Sequence, residues 1–188
     1  MNSVARFLVN ASAAARNRRR YAWIRTHLPL TPGAVALEIG CGNGDMADRL
    51  VEGLRPSKYL ATDIDPKQLA LARRTIDRRY PAGVPAALTL GAANMVDLPY
   101  ASASVDSVFA FLTIHHAGAN HHDFAQIAIA LAEIDRVLRP GGYLVYEEFI
   151  QKEHIRSWLT EHSYTVRATR PRWRREMNLM RKSGAAGN

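Results

Sequence analysis

The stretch Val35-Ala-Leu-Glu-Ile39-Gly40-Cys-Gly42-Asn-Gly44 constrains this chain more than any other. A short apolar run ends in three alternating glycines, and a helix-like pattern from Asp45 to about Leu54 follows at once. Glycine reaches positive φ without a Cβ penalty, so the run reads as a strand that turns sharply into a helix and brings its N–H groups close to a ligand. Similar units recur downstream. Lys58 to Asp63 reads as a second strand, and Pro66 opens a helix with Leu69, Ala72 and Ile76 at helical spacing. Residues 86–90, 105–111 and 143–149 read as three more strands, and residues 123–138 as an amphipathic helix stopped by Pro140-Gly141-Gly142. A helix over 154–161 then leads to segments 164–169 and 176–182, a terminal hairpin around Arg170-Pro171-Arg172.

Strands separated by helices require right-handed crossovers and a mainly parallel sheet covered on both faces. The expected fold class is therefore doubly wound α/β, a seven-stranded, mainly parallel sheet whose last two strands form the hairpin. Such sheets bind ligands outside the carboxyl ends of their strands. Residues just after Ile39, Thr62, Leu90, Phe109 and Val145 are thus expected to line a site.

Composition narrows the class. With 188 residues, 47% apolar and 22% charged, the chain fits one globular domain and is not biased toward disorder. Its one cysteine, Cys41, closes no intramolecular disulfide and supplies no zinc cluster; it reads as a small packing residue in the turn. No apolar run is long enough to span a bilayer, and a cytoplasmic protein is expected. The net charge of +8 is uneven: +6 over residues 1–30, −4 over 31–150 and +6 over 151–188. Basic flanks around an acidic middle fit an anionic partner near the termini, or simply a solvated surface.

The dinucleotide fingerprint requires glycine at the sixth position of G-x-G-x-x-G, where this chain has Asp45. A carboxylate there would face a pyrophosphate, which disfavours NAD and FAD. Asp63, at the end of the second strand, is placed to accept from two ribose hydroxyls. A nucleoside without phosphates fits both.

At these residues the sequence resembles the class I S-adenosylmethionine-dependent methyltransferases. The blocks are Leu37-Glu-Ile-Gly-Cys-Gly-Asn-Gly44, Thr62-Asp-Ile-Asp65, Asn94-Met-Val-Asp-Leu-Pro-Tyr100, Val105 to His116, and Arg136-Val-Leu-Arg-Pro-Gly-Gly142. The resemblance implies S-adenosyl-L-methionine as cofactor, with Gly40, Gly42 and Gly44 allowing its close approach and Glu38 organising the turn and the methionine amine. It implies that Asp63 holds the ribose and Ile64 covers an adenine face. Met95 would offer its backbone N–H to the ring, and the Phe111 backbone would flank the methionine chain. Asn94 stands where the family usually has Asp; an amide oxygen still accepts from the adenine amino group but carries no charge. It also implies a division into an N-terminal helical lid (1–30), a cofactor-binding core (31–150) and a basic C-terminal helix and hairpin (151–188), all in one domain.

A sulfonium methyl is already electrophilic, so the protein mainly aligns an acceptor and excludes water. His115 and His116, just past the fourth strand, are candidates for a general base, with local packing as the alternative role. Tyr21 joins them as a catalytic candidate from the lid. Glu147 and Glu148 point to opposite faces, so one of them should face the site. Neither His115-His116 nor His121-His122 has metal-ligand spacing, and no metal is expected.

Val4, Phe7, Leu8 and Ala11 share one helical face, followed by Arg16, Arg18, Arg19, Arg20, Tyr21 and Trp23. This segment fits a packed helix, a lid or a helix lying on an anionic membrane. The expected function is methyl transfer to a small-molecule or lipid head-group acceptor, the alternative being methylation of nucleic acid or protein. Against nucleic acid, Phe111-Leu-Thr-Ile114 replaces the Asn/Asp-Pro-Pro-Tyr/Phe block of amino-group methylases, and no cysteine is placed as a cytosine nucleophile.

Overall fold

The computed structural model describes residues 3–29, 32–117 and 123–184, with side chains from residue 14 onward. Among them run α1 (Ser3–His27), β1 (Val35–Ile39), α2 (Asp45–Leu54), β2 (Lys58–Asp63), α3 (Pro66–Arg79), β3 (Leu88–Ala92) and β4 (Val105–Phe111). A 3₁₀ turn (Ile114–His116), α4 (Phe124–Val137), β5 (Leu138–Glu148), α5 (Lys152–Glu161), β6 (Tyr164–Pro171) and β7 (Glu176–Lys182) complete the order.

The sheet order is β3-β2-β1-β4-β5-β7-β6. Strands β1 to β5 pair in parallel, whereas β7 is antiparallel to both β5 and β6. The chain winds outward from β1 to β3 and then restarts at β4 on the other side of β1, which makes the β1/β4 carboxyl ends the topological switch point.

The alternation of strand side chains splits the core into two layers. Leu37, Ile39, Val108, Ala110, Leu144 and Tyr146 face α4 and α5. Ala36, Tyr59, Phe109, Phe111 and Val145 face α1, α2 and α3. Helix ends are set locally: Asp65 caps α3 by accepting from Lys67 N at 2.8 Å with Pro66 in the first turn, and Asp123 caps α4 through Ala125 N at 3.0 Å.

Three strands differ from expectation: β6 runs two residues beyond its predicted end, to Pro171. β3 lies two residues later than predicted. β5 begins at Leu138, because Leu138 pairs with Val105 before the register jumps to Ser107 opposite Tyr143. Pro140-Gly141-Gly142 is thus an excursion within a strand, with Gly141 at φ 79°, rather than the loop ending α4. The apolar face predicted at Val4, Phe7 and Leu8 lies outside the described side chains, and His121 and His122 lie outside the described residues.

Candidate active site

The glycine turn is clamped by the strand beside it. Cys41 N donates to Thr62 O at 2.8 Å, Thr62 Oγ1 to Glu38 O at 2.8 Å, and Gly42 N to Asp63 Oδ2 at 2.9 Å. The other Asp63 oxygen accepts from Asp65 N at 2.9 Å, so one carboxylate fixes both the turn and the start of α3. Gly40, Gly42 and Gly44 all have positive φ, for different reasons. A Cβ on Gly40 would overlap the Thr113 side chain, and one on Gly44 would meet Ala72 Cβ at 3.1 Å. Only Gly42 faces open space, with Gln68 Oε1 at 4.0 Å as its nearest neighbour.

An open cleft of about 680 Å³ lies at the carboxyl edge of β1, β2 and β4. Of the predicted site residues it gathers Gly40, Gly42, Asp63, Ile64, Asn94, Met95 and His116. Ile64 is 63% exposed and turns an apolar side chain to the cleft. Asn94 Oδ1 accepts from Val96 N at 3.2 Å, so part of its acceptor capacity serves its own loop. Gln68, Leu112 and Thr113 also line the cleft and were not singled out from sequence. The rule of carboxyl ends covers the latter two, and Gln68 follows from facing the turn one helical step past Pro66.

Four predicted residues sit behind the cleft wall. Gly44 packs on Ala72 of α3. Glu38 is 2% exposed beneath the turn, where its carboxylate accepts from Tyr59 Oη at 3.0 Å; burial lifts its pKa to about 8, so near neutrality it is mostly protonated. Phe111 turns its ring toward α1, with the Arg20 guanidinium 5.1 Å from the ring centroid. His115 is buried, its Nδ1 2.6 Å from Glu148 Oε2, while Glu148 Oε1 accepts from Ile114 N at 2.8 Å. Cys41 is buried too, and burial beside Glu38 and Asp63 holds its thiol well above the ordinary range, in keeping with a packing role.

Tyr21 is outside the cleft. Its ring lies against Gly53, where any Cβ would overlap it, in the layer between α1 and α2. The structure thus places Tyr21 in that packing layer, apart from the other predicted catalytic residues. The neighbouring Arg20 and Asn17 point to the carboxyl edge instead. Arg20 Nε donates to Glu147 Oε2 at 2.6 Å and Nη1 to Asn17 Oδ1 at 2.8 Å, and Asn17 Nδ2 donates to Asp45 Oδ2 at 2.8 Å. This answers the question of the two strand-end glutamates: Glu147 fixes α1, Glu148 fixes the 3₁₀ turn. Asp45 is engaged by Asn17 and Arg49 at the start of α2, which leaves a carboxylate where a pyrophosphate would sit.

Residues 37–146 match the protein family described as Methyltransferase domain. The chain belongs to that family. Its seven-stranded sheet with a terminal antiparallel hairpin is the class I S-adenosylmethionine-dependent methyltransferase fold. The chain is 36% identical over 123 residues to 27-O-demethylrifamycin SV methyltransferase of Amycolatopsis mediterranei, covering 65% of this chain and 41% of that protein. It is 31% identical over 126 residues to a fatty-acid O-methyltransferase of Mycolicibacterium smegmatis, covering 67% and 41%. The chain thus spans about two-fifths of the length of these relatives. Its fold matches the crystal structure of the N-methyltransferase NodS from Bradyrhizobium japonicum in complex with S-adenosyl-L-homocysteine, with a TM-score of 0.71 at 18% identity, covering 88% and 86% of the two chains.

This methyltransferase-family chain has no group of three or more metal-ligating side chains among the described residues. Nor does any described helix have the length and apolarity to cross a membrane.

Proposed function

We propose that the chain binds S-adenosyl-L-methionine in the cleft and transfers its methyl group to a small-molecule or lipid head-group acceptor. The observation that carries this is the convergence of Gly42, Asp63 and Ile64 on one open cleft at the switch point. Gly42 offers a backbone face with no Cβ, Asp63 keeps lone pairs beyond its two N–H partners for ribose hydroxyls, and Ile64 offers an apolar face to a flat base. The bound sulfonium supplies an electrophilic methyl. The chain's own residues orient the acceptor, exclude water and take up the proton where the acceptor is a hydroxyl.

Of the two histidines, His116 lines the cleft and is the candidate base, while His115 positions the turn through Glu148. Asn94 and Met95 would meet the base edge, and Phe111 would support the methionine side through its backbone. The N-terminal helix and the loops after β4 and β5 would select the acceptor within one domain. The acceptor class follows relatives that methylate a rifamycin and a fatty acid. A cytoplasmic, peripherally membrane-bound protein fits the basic flanks.

Isothermal calorimetry with S-adenosylhomocysteine and NAD, followed by a screen for S-adenosylhomocysteine release over phenols, amines, fatty acids, phospholipids and RNA, tests the reading. Binding of NAD alone would end it. One observation favours a nucleic-acid acceptor: Trp173, 94% exposed in the β6–β7 turn, carries the Arg174 guanidinium 5.6 Å from its ring. Turnover with RNA and none with small molecules would select that alternative.

A further inference from the structure

Arg16, Arg20, Arg170, Arg172 and Arg175 converge with Glu147 and Met177 on a second, narrow pocket. They come from α1, the end of β6 and the β6–β7 turn, which closes on itself through Arg172 N to Arg175 O at 2.8 Å. Five guanidinium charges face one carboxylate, leaving a net +4 around one small space.

These are not five solvated arginines. Arg20 is 5% exposed, and with Nε on Glu147 and Nη1 on Asn17 its Nη2 is buried without a hydrogen-bond partner among the described residues. Arg16 Nε is in the same condition. A buried donor left unpaired costs free energy that an acceptor would recover. Burial, and then the neighbouring guanidinium groups, holds both Arg16 and Arg170 below the ordinary arginine range. An anion in the cavity reverses that crowding.

The cavity and the proposed methyl-transfer cleft share the carboxyl edge of the sheet. Glu147 pairs with Phe111, and the next residues, Leu112 and Thr113, line the cleft. Both sites therefore lie at the carboxyl edge of the sheet, on the neighbouring strands β4 and β5. A carboxylate presents two oxygens in one plane. A tetrahedral oxyanion can be gripped from several directions, and guanidinium forks match it in bidentate fashion.

We propose that this arginine cavity is a phosphate-binding site that holds the phosphate of an anionic acceptor at the same sheet edge as the cleft. The word acceptor rests on the methyl-transfer reading; the phosphate site does not.

Calorimetric titration of the whole chain with inorganic phosphate tests it. Saturable binding of one equivalent is expected, weakened at least tenfold in R16Q and in R172Q, while R78Q on α3 binds as the wild type. Arg172 is exposed, so R172Q should fold even where R16Q does not, and thermal unfolding checks both. Phosphatidate vesicles and glycerol phosphate distinguish the sources: vesicle retention competed by inorganic phosphate identifies a lipid headgroup, and glycerol phosphate binding without retention identifies a soluble ester. Either supports the site. Absence of saturable phosphate binding, or unchanged affinity in both arginine variants, overturns it. S-adenosylhomocysteine titrated in parallel separates the two readings: phosphate binding without it keeps the site and removes methyl transfer, and the reverse removes the site alone.

Discussion

His115 Nδ1 and Glu148 Oε2 stand 2.6 Å apart, and the carboxylate is completely buried. Through its second oxygen Glu148 also holds Ile114 N, so one side chain on β5 fixes the turn that brings His116 to the cleft. The adjacent histidines therefore stand in different surroundings, one against Glu148 and one at the cleft.

His116→Gln should lower turnover roughly 10²-fold with cofactor affinity unchanged, as for loss of a general base. Glu148→Ala should instead cost about 1–3 kcal/mol of stability by leaving buried groups unpaired. Steady-state kinetics on the first and thermal unfolding on the second check the division. Equal turnover in His116→Gln and wild type assigns the proton elsewhere.

The glycines should also separate. Gly42→Ala meets only the left-handed backbone penalty of about 1–2 kcal/mol in stability but puts a methyl on the open face of the turn. Gly44→Ala adds contact with Ala72 to the same penalty and should unfold at lower temperature. Cofactor affinity measured in the folded protein should fall further in Gly42→Ala than in Gly44→Ala.

Asp63→Ala should reduce S-adenosylhomocysteine affinity by about 1.5–3 kcal/mol, the worth of a hydrogen bond to a charged group. Because Asp63 also holds Gly42 N and Asp65 N, some stability should be lost with it. Asp63→Asn retains an acceptor oxygen and should recover part of both, read by calorimetry and chemical denaturation.

Glu38 predicts a pH effect of definite sign. Its folded pKa is raised to about 8 by burial, against about 4.3 for an unfolded glutamate. Between those values the folded chain keeps a proton that the unfolded chain has released, so stability falls as pH rises through this window and levels off above it. The difference is on the order of 3–5 kcal/mol. Glu38→Gln stays neutral throughout, and urea unfolding at pH 6 and pH 9 should show a smaller decline than in wild type.

The parts legible in sequence were those with local causes. The Gly40–Gly44 turn, the Asp63 strand end and the Pro66 helix start each follow from backbone rules acting over a few residues. The β5 start did not, since Pro140-Gly141-Gly142 signals a break and its strand pairing across Val105 is a long-range event. The place of Tyr21 is not legible for a similar reason: an aromatic in a basic segment looks like a lid residue, and its packing against Gly53 is a long-range contact. The Arg20–Glu147 pair joins positions 127 residues apart, a separation that helical spacing and motif matching do not sense.

The bonds of α1 at its two anchors limit how this chain can be altered by exchange of parts. Asn17 grips Asp45 at the head of α2, and Arg20 grips Glu147 at the tip of β5. A foreign N-terminal helix grafted onto residues 31–188 would take the 2.6 Å Arg20 bond from Glu147 and leave it the looser 4.0 Å contact with Arg175. The helix, Asp45 and Glu147 are consequently best moved together, so that an exchange carries both anchoring bonds with it.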